Sequence, residues 1–190
     1  MINPIYTKPK TIAQLQHLFQ ENKQLPSIQL HNFFTTEEYS HINSVISTAR
    51  FTHTQKPLLY SYSTTKTQKE IIPYLKEIKK ISQQIIQHKL IKINIQIPQI
   101  IQLGHKDYTL LNDKNLQPQG YDIIFDLTDN WQPEFGGNLT YTNSNNQSFT
   151  ITSKPNTLTI VERSDLFQKY IEYINHYAQK NKRYILMLSS

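Results

Sequence analysis

The apolar positions of the chain follow two spacings, and the change falls near residue 90. Before it, they recur every three or four residues, the period of one helix face. Ile12, Leu15, Leu18 and Phe19 mark a short helix to about Asn22, entered through Thr11 and Gln14 in the pattern of a capping box and closed by Pro26. Ile28 to Phe34 alternates loosely, as a strand does. Thr35 and Glu38 form a second capping-box pattern, and Tyr39, Ile42, Val45 and Ile46 supply the stripe of a second helix. Residues 50 to 68 are rich in Thr, Ser and Tyr and read as irregular chain or an edge strand. Ile71, Leu75, Ile78, Ile81 and Ile85 predict a third helix, with Pro73 tolerated in its first turn.

After Leu90 the period becomes two. Ile91, Ile93, Ile95 and Ile97 alternate with polar residues. Short strands are then expected at 100–103, 108–111, 121–127, 138–142, 148–152, 157–161, 167–174 and 183–188, and all four glycines fall between them. The reading is a mainly β (α+β) chain of one domain over residues 1–190: a mostly helical layer over 1–90, then a β sandwich or barrel over 91–190.

Composition narrows the chemistry. With no cysteine, disulfides, thiolate metal sites and cysteine nucleophiles are excluded. The N-terminal stretch lacks a signal peptide's apolar core and no apolar run is long enough to span a bilayer, so the expectation is a cytoplasmic protein without a membrane partner. A formal net charge of +6 allows a nucleic-acid partner, but no run of four Lys or Arg concentrates it. The densest group, Lys76, Lys79 and Lys80, lies on the polar side of the third helix.

The stretch DLTDNWQPEFGGNLTYTN, 126 to 143, resembles the prolyl 4-hydroxylase-like Fe(II)/2-oxoglutarate oxygenases. Their order of apolar strand, Trp, acidic residue, Gly-Gly and strand with Tyr is met by Ile123 to Leu127, Trp131, Glu134, Gly136-Gly137 and Leu139 to Tyr141. KPNTLTIVERSD resembles the strand before the second metal His, KRYILM the last strand with the cation for 2-oxoglutarate, and IQLHNFFTTEEYSHI the family's entry, so the likeness spans residues 28 to 188. It implies a double-stranded β-helix, or jelly roll, behind about three helices. It also implies Fe(II) on two His and one carboxylate, and 2-oxoglutarate held by an Arg.

Aligned on the family's Gly-Asp-Phe-Leu-x-x-His-x-Asp phrase, Asn112 falls on the His and Lys114 on the Asp, nineteen residues before Trp131. LFQKYIEY, aligned with Phe-His-x-Val-x-x-Val, puts Gln168 on the second His, and Arg183 falls on the 2-oxoglutarate Arg. Amide oxygens bind Fe(II) weakly and an ammonium repels it. Asp113 cannot simply replace Lys114, because neighbouring strand residues point to opposite faces. This register implies no iron, a positive pocket at Arg183 and Lys114, and a binding or accessory module for a protein or small-molecule partner. In a rival register His105, Asp107 and His176 hold Fe(II), with Arg183 on 2-oxoglutarate, in an active hydroxylase. Asp107 also has a structural role open to it, bonding the backbone of the turn after Gly104.

Overall fold

The computed structural model describes residues 1–21, 23–87, 98–110 and 119–189. The strand expected at Ile91 to Ile97, the end of the strand expected at 108–111, and Asn112, Asp113 and Lys114 lie outside the described residues.

Among the described residues, three α-helices form as their stripes require. α1 (Pro9–Glu21) starts two residues before Thr11, α2 (Thr36–Ser47) follows Thr35, and α3 (Ile72–Ile86) carries Pro73 in its first turn. The capping box expected at Thr35 and Glu38 does not form, since the Thr35 side chain makes no cap bond. Glu38 is drawn elsewhere: it accepts from the Tyr74 hydroxyl at 2.6 Å and pairs with the Met1 amino group at 2.6 Å. These donors hold its carboxyl below the usual range, and burial with Glu38 pushes the Tyr74 phenol up to about 12.

Among the described residues, eleven strands follow one antiparallel plan: β1 (Ser27–Leu30), β2 (Thr52–Lys56), β3 (Tyr60–Lys66), β4 (Gln99–Leu103), β5 (Tyr108–Thr109), β6 (Gly120–Asp126), β7 (Leu139–Asn143), β8 (Ser148–Ile151), β9 (Thr157–Arg163), β10 (Phe167–Ile171) and β11 (Arg183–Ser189). The order across the sheet is β1-β9-β6-β11-β4-β3-β5-β10-β7-β8, with β2 added beside β3. The polar stretch at 50–68 is thus a full hairpin, and all of β2 is exposed. β3 is the joint of the sheet. Its later residues, Ser63 to Lys66, pair with β4, while Tyr60 and Ser61 pair with β5.

Two cores explain why the sheet curls. In the first, Phe19, Ile42, Ile46, Ile78, Ile81 and Ile85 from the helices pack against Tyr121, Ile123, Phe125 and Leu158. In the second, Leu103, Ile124, Val161 and Ile185 from one part of the sheet meet Leu139, Tyr141 and Ile171 from the other. The sheet therefore folds over its own inner face, with the helices on the outer face of β6 and β9. Strand alternation does the sorting. Along β6, residues 121, 123 and 125 face the helices, so Asp122 and Asp126 share the inner face with Ile124.

Candidate functional site

β6 carries two carboxylates on the face that lines the barrel. Four residues apart in a strand, their Cα atoms are separated by about 13 Å. Each is met by at least one cation from another strand, which gives the interior two polar ends.

At one end, Arg183 opens β11 opposite Leu103 and is 1% exposed. Its Nη2 donates to Asp126 Oδ2 at 2.9 Å, and its Nη1 donates to the Gly137 carbonyl. The Asp126 Oδ1 atom accepts from the Thr128 amide at 3.0 Å, which fixes the carboxylate's orientation. The Gly136-Gly137 pair brings the carbonyl to the guanidinium. Both glycines have positive φ, 75° and 74°. A Cβ on Gly136 would lie 2.4 Å from the Tyr173 carbonyl oxygen, and one on Gly137 would lie 2.7 Å from Ile174 Cγ1. Trp131 closes this corner, donating from its indole nitrogen to the Gly136 carbonyl at 2.9 Å and meeting Phe135 edge-on. It acts in packing, as its place before the Gly-Gly turn suggests.

At the other end, β6 begins while β9 and β11 finish. Asp122 is fully buried and accepts from four side chains. Arg163 Nη1 reaches Oδ1 at 2.8 Å, Ser189 Oγ reaches Oδ1 at 2.7 Å, and Tyr141 OH reaches Oδ2 at 2.8 Å. Lys169 Nζ lies 2.9 Å from both oxygens. Burial works against the ionised carboxyl, but Lys169 and Arg163 outweigh it and hold Asp122 below the usual carboxylate range. Burial lowers the Lys169 ammonium below the ordinary lysine value despite Asp122. Burial, with Asp122 beside it, raises the Tyr141 phenol well above its ordinary value. A carboxylate so surrounded by donors has no lone pair left for a metal or for taking a proton.

No family model and no curated protein sequence matches the chain. Solved structures do. A prolyl 4-hydroxylase from Pseudomonas putida superposes with a TM-score of 0.69 at 8% identity, covering 93% of this chain and 98% of that one. A prolyl hydroxylase from Trichoplax adhaerens, in complex with a hypoxia-inducible-factor oxygen-degradation-domain peptide, gives 0.70 at 12% identity, over 97% and 94%. The chain has the fold of the 2-oxoglutarate/Fe(II) oxygenases. An oxidoreductase of that oxygenase family from Burkholderia pseudomallei gives 0.66 at 8% identity, over 94% and 90%.

Within this oxygenase fold, the residues singled out from the sequence separate. Arg183 reaches the interior, already paired. Gln168 pairs with Thr142, so it lies on the opposite face of β10 from Lys169, which pairs with inward-facing Tyr141. Lys169, not Gln168, enters the barrel, and Ile171 and Ile174 after it are buried. His105 is exposed in the turn after Gly104, and His176 is exposed in a short 3-10 turn. Asp107 accepts from the Gly104 amide at 2.8 Å and from Ser61 Oγ at 2.6 Å. Among the described residues, no three His, Asp or Glu side chains gather as a metal group, so the rival set of His105, Asp107 and His176 is not assembled. The cation suited to 2-oxoglutarate is already neutralised, and the inward position on β10 holds an ammonium.

Sequence reasoning missed Asp122, Asp126, Arg163 and Lys169. A signal was present: YDIIFDL places two acidic residues on one face of a strand apolar on both. Buried carboxylates need partners, and Arg163 and Lys169 flank the turn between β9 and β10.

Proposed function

We propose that this chain is a degenerate oxygenase-fold protein: a single-domain double-stranded β-helix that holds neither Fe(II) nor 2-oxoglutarate and works in the cytoplasm as a binding or accessory module for a protein or small-molecule partner. The Arg183–Asp126 pair carries this reading. The cosubstrate's far carboxylate needs a free cation. Here Asp126 and the Gly137 carbonyl each accept from one guanidinium Nη, while Nε is buried without a partner, and both ion-pair partners are nearly sealed from water. An incoming dianion would have to part them and then lie beside the displaced Asp126 charge. Lys169 supports the reading, because it sets a positive charge on the inner face of β10, where the fold's metal site needs a neutral donor.

The test is anaerobic calorimetric titration of Fe(II), or Mn(II) in its place, with and without 2-oxoglutarate. The expected result is no micromolar metal binding and no 2-oxoglutarate binding by the native chain. Micromolar metal binding that is lost in His105→Ala, or succinate release from 2-oxoglutarate, would sink the proposal.

A further inference from the structure

We infer that β2 is the docking edge for a second copy of this chain, the two β2 strands pairing antiparallel across a two-fold axis at Thr54. Among the described residues β2 pairs with β3 and with no other strand, and all of its residues are exposed. The hydrogen-bond parity of the hairpin shows which of its backbone groups are free. The Leu110 N–H donates to the Leu59 carbonyl at 2.8 Å, one step outside the Tyr60–Thr109 pair. Tyr60 therefore exchanges no bonds with Thr109, and its own N–H and C=O turn toward β2. Alternation carries this along the hairpin, so Lys56, Thr54 and Thr52 bond to Tyr60, Tyr62 and Thr64. His53 and Gln55 are left with both backbone groups pointing away from the sheet, and no backbone partner meets them among the described residues.

An unpaired edge is a template for another strand, and native edges are commonly blunted by charge, proline or a bulge. Thr52 to Gln55 carry none of these. A second β2 fits the edge because the strand complements itself. With Thr54 opposite Thr54 of the other copy, His53 lies opposite Gln55 on each side of the axis. Each of those pairs exchanges both of its bonds, so every outward N–H finds an outward C=O. The side chains fit the same register. Lys56, the strand's one lysine, falls opposite Thr52 and not opposite a second Lys56, and the threonines at the axis form a favourable cross-strand pair. The register also brings Pro57 level with the half-buried Phe51 of the other copy, beside Leu58, which is 81% exposed. A peptide of another sequence offers the same backbone bonds without these matched side chains.

The pairing is independent of whether the barrel holds iron, so the metal titration does not bear on it. The chain has no cysteine, which makes the register readable by cross-linking. Across the axis the two Thr54 Cα atoms lie about 4.5 Å apart, within disulfide reach, whereas His53 to His53 or Gln55 to Gln55 spans about 8 Å, beyond it. Under mild oxidation Thr54→Cys should form a disulfide-linked dimer, while His53→Cys and Gln55→Cys should cross-link at least tenfold less. Sedimentation equilibrium of the native full chain, loaded from about 10 μM to about 1 mM, should show a reversible monomer–dimer equilibrium, as a small interface allows. Each copy carries a formal net charge of +6, so added salt should tighten the dimer. Gln55→Pro removes an outward N–H without touching the bonds to β3, and should weaken the dimer at least tenfold with little change in melting temperature. A native chain that stays monomeric at about 1 mM overturns the inference and leaves the edge to an extended peptide of another protein. Cross-linking of His53→Cys as readily as Thr54→Cys also overturns it, and that result is readable even if Gln55→Pro fails to fold.

Discussion

Replacing Asp122 by Ala removes one acceptor shared by Arg163, Lys169, Ser189 and Tyr141. Removing one partner of a buried ion pair costs about 3–5 kcal/mol, because a charge is left uncompensated. Against a total stability of about 5–15 kcal/mol, that is a large share. For a chain of this length it corresponds to a fall in Tm of roughly 6–20 °C. Urea denaturation of the native chain and of Asp122→Ala measures the difference. The double variant Asp122→Leu with Lys169→Met should lose less than Asp122→Ala, because it removes a cation together with its partner. The pH dependence gives a second reading. The Asp122 carboxyl is held below its ordinary 3.8 in the folded chain, so the unfolded chain binds its proton first as pH falls. The stabilisation is complete above the unfolded value and is lost as pH drops through the folded one. The native chain should therefore weaken below about pH 5 more steeply than Asp122→Ala does. Lys169, lowered from 10.5, acts at the other extreme: the unfolded chain keeps its proton longer, so stability rises with pH between the folded and unfolded values. A loss below about 1 kcal/mol for Asp122→Ala, the range of an exposed pair, would refute the account of this cluster.

Three further outcomes are expected. Asp126→Asn keeps an acceptor for the Thr128 amide but removes the charge on Arg183, and 2-oxoglutarate should then raise the melting temperature where it leaves the native chain unmoved; no shift would show that Asp126 is not what blocks the guanidinium. Gly137→Ala forces a Cβ to 2.7 Å from Ile174 at φ 74° and should cost about 2–4 kcal/mol by chemical denaturation, strain and overpacking together. Asn156→Ala removes a buried amide that accepts from the Phe34 N–H at 2.9 Å and donates to its carbonyl at 2.8 Å, with a loss of about 2–3 kcal/mol read from the urea midpoint.

What could be read from the sequence depended on whether the signal was local. The α3 stripe and the alternation of β6 and β9 are set by nearest neighbours, and those elements lie where the periodicity puts them. The β2–β3 hairpin was obscured because both strands are largely polar and β2 is wholly exposed, so no apolar alternation marks it. The Thr35–Glu38 cap failed for a long-range reason, since Tyr74 and the chain's amino terminus compete for the carboxylate. Arg183 was found as a cation aimed inward, but its neutralisation by Asp126 depends on β11 pairing with β6, fifty-seven residues away in the chain. On β10, a shift of one residue decides whether Gln168 or Lys169 faces in, and a motif aligned by eye carries no parity check.

β11 lies between β6 and β4, yet the chain reaches it after both. The middle of the larger layer must therefore stay open until residues 183–189 are available, and β4 and β6 present unpaired edges to each other meanwhile. A nascent chain on the ribosome cannot complete its barrel strand by strand. It has to wait with apolar edges exposed and then close in one late, long-range step. Such non-local closure slows folding and leaves the intermediate open to pairing with other chains. The strand that carries Arg183 thus also sets the time at which the protein becomes safe from aggregation.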